Sequence, residues 1–133
     1  MKVFFALAVS VSLCAAGAAY ADCSYPPAPD HLPDGRTATM ADMVAAQKSV
    51  KDYDVAINAY LACIKLEHDD TLSKMDQPKP GEKPTPEQKK ALDDLDRVEI
   101  QKHNAAIDQD HAVADRFNEQ VRIFKSRSDQ QKK

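Results

Sequence analysis

The chain has little of what breaks or compacts a fold. Tryptophan is absent, glycine occurs 3 times in 133 residues, and the 8 prolines are confined to two clusters. Pro26, Pro27, Pro29 and Pro33 form the first cluster; Pro78, Pro80, Pro84 and Pro86 form the second. Gly35 and Gly81 sit beside them, so residues 36–77 and 87–133 hold neither residue type. Proline and glycine punctuate local structure, and two long stretches without them leave no place for tight strand turns. Neither stretch alternates β-branched and polar residues as a half-buried strand would. After residue 21 the aromatics are Tyr25, Tyr53, Tyr60, Phe117 and Phe124. So few large side chains exclude a large globular core and predict an elongated shape or self-association.

A basic excess is also lacking. The chain carries 18 Lys and Arg against 21 Asp and Glu, and Lys2 is the one charged residue before Asp22. Residues 22–133 therefore carry 17 basic and 21 acidic side chains. This excludes nucleic acid as a main partner, since that requires a concentrated basic face. It also argues against tight binding to anionic lipid. No glycine-rich phosphate loop or nucleophile motif is present.

The N-terminus carries a clear pattern. Lys2 precedes an apolar run from Val3 to Leu13, and Ala19-Tyr20-Ala21 fits a small-x-small cleavage site. This predicts a secretory signal peptide over residues 1–21 and a periplasmic or secreted location, with no stable membrane insertion once the signal is removed. Cys14 leaves with the signal; Leu13 before it stands where a lipoprotein site needs a small residue. Cys23 and Cys63 remain. An even pair in a small exported chain predicts an intramolecular disulfide, with two free thiols or bridges between chains as the alternatives.

The breaker-free stretches predict an all-α fold, an antiparallel two-helix hairpin of coiled-coil type. The first helix is expected over residues 40–76, with Thr39 as N-cap and Asp42 against the positive helix end. Its apolar stripe is Met43, Ala46, Val50, Tyr53, Ile57, Tyr60 and Ile64, at alternating steps of three and four. A kink or break is expected at His68-Asp69-Asp70-Thr71. The second helix is expected over residues 86–128, opened by the capping box Thr85-Pro86-Glu87-Gln88. Its stripe is Leu92, Leu95, Ile100, Ile107, Ala114, Phe117, Val121 and Phe124, with polar interruptions at His103 and Asp110. Residues 77–85 form the loop, and 129–133 a frayed tail, with fraying expected from Ser126.

Residues 22–39 are expected to form a proline-rich strap. Cys63 lies roughly 35 Å along its helix, at ~1.5 Å per residue. Residues 24–39 can cover about 50 Å in a polyproline conformation. The strap can therefore run back along the helix and be pinned at Cys63, with Pro33-Asp34-Gly35 making the reversal.

Candidate chemistry is sparse. His31, His68, His103 and His111 form no His-x-x-x-His pair and predict no metal site. Asp93, Asp94, Asp96, Glu99, Asp108, Asp110 and Asp115 read as a solvated helix face laced with Lys and Arg. Cys23 and Cys63 stand too far apart for a redox-active Cys-x-x-Cys. Tyr53 and Tyr60 share a face, as seam residues or as a binding patch. No catalytic, cofactor-binding or metal residue is predicted, and no cofactor.

Cys23-x-Tyr25-Pro26, Pro33-Asp34-Gly35, Ala38, Met43, Ala46-Gln47, Val50-Lys51 and Tyr60-Leu61-x-Cys63 together resemble small exported helical proteins of Gram-negative bacteria with paired cysteines. The resemblance covers residues 23–67. It implies a periplasmic location and carries no activity. The expected function is a non-enzymatic periplasmic interaction, structural or chaperone-like protein, partnered by another envelope protein or by a second copy as a homodimer. A small-ligand or metal-binding envelope protein is the alternative.

Overall fold

A computed structural model describes residues 23–130; residues 1–22, with the expected signal peptide, and residues 131–133 lie outside the described residues. Two helices make up the fold, α1 (Met40–Lys74) and α2 (Pro86–Gln130), and they pack against each other with no strand among the described residues. The pairing is antiparallel. Glu67 stands across from Lys102, His68 from Asp96, and Ala38, just before α1, from Arg127 near the end of α2. With 35 and 45 residues, the helices are about 52 and 67 Å long at ~1.5 Å per residue.

Both helices start where the sequence places them. At α1, the Asp42 amide donates to Thr39 Oγ1 at 3.2 Å and the Thr39 amide donates to Asp42 Oδ2 at 2.8 Å, a reciprocal box that satisfies two orphan donors. Bonds to Asp42, from the Thr39 hydroxyl first, hold its carboxyl below the ordinary value. At α2 the Gln88 amide donates to Thr85 Oγ1 at 3.2 Å, and Gln88 Oε1 accepts from the Thr85 amide at 2.9 Å.

The ends and middles differ from expectation in three places. First, α1 stops at Lys74 rather than residue 76, because Met75 is already extended (φ −69°, ψ 148°) on the approach to Pro78. Second, no break occurs at His68-Asp69-Asp70-Thr71. Pairs of the i,i+4 kind, Lys65 with Asp69 at 3.0 Å and Lys74 with Asp70 at 2.6 Å, support the helix there. Third, α2 does not fray from Ser126 or stop at residue 128, but runs to Gln130. Arg127 ties it down through Nη1 to the Arg36 carbonyl at 2.5 Å and Nη2 to the Ala38 carbonyl at 2.6 Å. Between the helices, Pro80-Gly81 forms a turn closed by the Glu82 amide on the Lys79 carbonyl at 2.9 Å, with Gly81 at φ +90°. Glycine is suited to that position because it carries no Cβ to clash there.

The strap is present and pinned at both ends. Cys23 and Cys63 form a disulfide with their Cα atoms 5.8 Å apart. Tyr25 then sets its ring edge-on to Tyr60 at 5.1 Å between centroids, and Ala28 and Leu32 pack against the helices below. The reversal before α1 is an Asx turn: the Arg36 amide donates to Asp34 Oδ1 at 2.9 Å, and the Ala38 amide to the Asp34 carbonyl at 2.8 Å. Gly35 lies on the backbone of α2. A Cβ there would fall against the Gln120 carbonyl oxygen and within 2.8 Å of the Phe124 amide nitrogen. Its own amide donates to Gln120 Oε1 at 3.0 Å.

The strap makes the core possible. On α1 the expected stripe is buried at Met43, Ala46, Tyr53, Ile57, Tyr60 and Ile64, and half-buried at Val50. On α2 the expected stripe holds at Phe117, which is buried with Val121 and Phe124 packed against its cluster, but at Ile107 and Ala114 the buried position is the preceding residue. Ala106 and Val113 are 0% and 1% exposed, Ile107 and Ala114 are only half-buried, and Ile100 is 53% exposed. Ala106 and Val113 share one buried cluster with Tyr53, Ile57, Tyr60 and Ile64. Beyond Ile64 and before Ala106, where the strap no longer reaches, no described residue is buried. That end is bridged by polar contacts instead: His68 Nε2 to Asp96 Oδ1 at 2.8 Å and Lys102 Nζ to Glu67 Oε2 at 3.3 Å. The Asp96 carboxylate, with help from Asp69, raises the His68 pKa against the opposing effect of burial. The bridge therefore stabilises most below the ordinary imidazole value of 6.5 and is lost as pH rises through the raised one.

Both anchors of the strap bear on stability. A Cys23→Ser/Cys63→Ser variant should lose about 4 kcal/mol in urea unfolding, the chain-entropy value for a loop of this length; an unchanged midpoint would mean the strap is held without its bridge. Gly35→Ala should cost about 1–3 kcal/mol by forcing the turn off α2, and circular dichroism melts would read it directly.

Candidate functional site

Among the described residues the strap covers one face of the hairpin and leaves the other open. On the strap side, Pro26, Pro29 and His31 lie with Ser49, Asp52 and Tyr53 of α1. Farther along, Pro33 and Asp34 lie with Arg116, Glu119 and Gln120 of α2. On the opposite side an apolar groove runs between Met40, Met43 and Val44 of α1 and Phe117, Val121 and Phe124 of α2, with Gln47 and Lys125 at its rim. Met40 is 64% exposed and Val44 57%. These are large apolar side chains at an edge where burial would be favourable.

From Val121 in this groove an apolar row leads back along α2. Ile100, Ile107, Ala114 and Val121 are spaced seven apart, the coiled-coil repeat that keeps one row on one side of a helix. This row lies beside the intramolecular seam, on the flank that carries Val121 into the groove. It is a second apolar line that α1 only half covers. The sequence shows the repeat; which of two neighbouring rows faces α1 is decided in three dimensions, where small Ala106 fits the seam better than Ile107.

The row is interrupted by charge. Asp110 is half-buried and faces Asp54 across the two helices. Burial first, and then the Asp54 carboxylate, raise the Asp110 pKa, with His111 opposing weakly. The polar break at Asp110 is thus a contact with α1, but one between two acids. His103, the other expected break, is exposed.

The remaining candidates are dispersed. Tyr53 and Tyr60 are 3% and 9% exposed and belong to the seam, not to a surface patch. The Tyr53 hydroxyl is buried without a hydrogen-bond partner among the described residues, and burial, with the nearby Tyr25 phenol, pushes its pKa up to about 12. His31 and His111 are exposed, whereas His68 is held between two carboxylates, Asp96 and Asp69. Asp94 is paired with Lys90 and Arg97. Asp93, Asp108 and Asp115 are exposed, and Glu99 is half-buried. Among the described residues no three His, Cys, Asp or Glu side chains converge on a metal position. Nor is any described helix long and apolar enough to cross a membrane. Cys23 and Cys63 are joined to each other.

Comparison with family models, with curated proteins and with solved structures found no match to this chain.

A raised carboxyl pKa means the folded state prefers Asp110 protonated. That preference contributes stability below the ordinary value of 3.8 and is lost as pH rises through the folded value. Asp110→Asn should therefore raise the melting temperature by a few degrees at pH 7 and change it little at pH 3. A variant that melts lower at pH 7 would show that the open face needs this charge.

Proposed function

We propose that this chain is a non-enzymatic helical interaction protein of the bacterial envelope, structural or chaperone-like, that engages partners through the open face of its hairpin. The observation that carries the reading is the half-covered row Ile100, Ile107, Ala114 and Val121, continuous with the groove at Met40, Val44 and Phe124. An apolar row at heptad spacing pairs with another helix bearing the same repeat. A second copy of the chain, closing a four-helix bundle, or a helix of another envelope protein meets that requirement. The periplasmic address rests on the signal-peptide pattern of residues 1–21, and the disulfide fits an oxidising compartment.

The test is oligomeric state and client protection by the chain that begins at Asp22. Light scattering should report a species larger than a monomer, or the protein should retard aggregation of a reduced, unfolding client. An Ile107→Lys/Val121→Lys variant should lose either behaviour while keeping its helical spectrum. A monomer without effect on the client would overturn the reading.

A further inference from the structure

The arginines are unevenly distributed. Of Arg36, Arg97, Arg116, Arg122 and Arg127, all but Arg97 lie where the strap reverses onto the last turns of α2. One pocket there is lined by Arg36, Arg122, Ile123, Ser126, Arg127 and Gln130. Three arginines, a serine and a glutamine line it, and no acidic residue does.

The state of each guanidinium matters more than the count. Arg127 is fixed by the carbonyls of Arg36 and Ala38 and by the Phe124 ring 5.0 Å from its Cζ. Those acceptors are uncharged, so its positive charge is not neutralised. Its Nε is buried and donates to no group among the described residues. Arg36 is anchored by its main chain, through its amide to Asp34 Oδ1 and its carbonyl to Arg127. Its side chain is exposed and makes no hydrogen bond or ion pair among the described residues. Arg122 is paired with Glu119, which lies outside this lining. Arg36 also lines the adjoining pocket with Asp30, Asp34 and Glu119, but neither its side chain nor that of Arg127 forms an ion pair among the described residues, and both stand beside a third arginine that a stronger acceptor could recruit.

We propose that this pocket binds a phosphate group, as free phosphate or as the phosphomonoester of a larger molecule. Planar guanidinium forks match pairs of phosphate oxygens, and a tetrahedral group offers enough oxygens for more than one fork. Ser126 and Gln130 supply further donors at the rim. Arg127 acts as the fixed wall, because its carbonyl contacts hold the strap turn and α2 in one geometry. Arg36 and Arg122 are the groups that close on the ligand. The pocket is separate from the open apolar face, so the two sites fail or succeed independently. Local charge, not the acidic total of the chain, decides the matter.

The probes are inorganic phosphate and vesicles. Titrating phosphate into isotope-labelled protein at constant ionic strength should give saturable amide shifts at Arg36, Arg122 and Ser126–Gln130. Arg36→Gln/Arg122→Gln should weaken that binding by about tenfold or more, because each fork carries charge-assisted bonds, with the melting temperature unchanged. Arg122→Lys, which keeps charge without the fork, should bind at an intermediate level. Phosphatidylcholine vesicles with and without phosphatidic acid separate the two sources. Flotation that needs phosphatidic acid and is lost in the double variant assigns a lipid headgroup. Saturable phosphate binding without flotation assigns a soluble phosphomonoester. Absence of both, or shifts that the double variant leaves intact, overturns the proposal.

Discussion

Two helices alone cannot enclose a core, and this fold depends on a third element tied across them. The strap is fixed covalently at Cys63, well inside α1. It is fixed again just before α1 begins, by the fit of Gly35 onto α2 and the grip of Arg127. The most deeply buried large side chains, Ile57, Ile64 and Val113, belong to the region that the strap spans. Each such side chain is worth about 1.5–3 kcal/mol when removed from water. Where the strap ends, near Ile64 and Ala106, full burial ends as well.

The same arrangement explains why one side of the molecule is finished and the other is not. The strap lies over Tyr60 and beside Tyr53, and turns two aromatic residues into core. Among the described residues no such cover lies over Val44, Ile107 and Val121, where the repeat written into α2 goes partly unused. A sequence that keeps heptad spacing on a flank its own partner helix does not fill has apolar surface to spare for another helix. The Asp54 and Asp110 carboxylates, set among that surface, make it less favourable at neutral pH than an apolar pair would.

Much of this was legible in the residues. The placement of the prolines delimited two helices, the Thr39 and Thr85 caps marked their starts, and the alternating three-four spacing named the buried stripe of α1 from Met43 to Ile64. The disulfide and the strap came from two cysteines and a chain long enough to reach. The α2 seam was legible at Phe117 but not at Ala106 and Val113, because residues 106 and 107 or 113 and 114 are adjacent and both apolar. The unbroken course through His68-Asp69-Asp70 could have been read from the i,i+4 pairs Lys65–Asp69 and Asp70–Lys74; only the Asp96 carboxylate on the other helix left no local sign. Nor did polarity at Ser126–Gln130 reveal that Arg127 reaches the carbonyls before α1. Contacts that long in sequence leave no local signature.

The uneven distribution of buried residues gives the molecule a stiff head and a compliant stem. Load entering at the Pro80-Gly81 turn would meet only exposed or half-buried contacts and a few polar bridges, and the helices could part like a zipper from that end. The tear would run as far as Ile64 and Ala106 and stop there, because the next residues are clamped under a strap that is covalently bonded to α1.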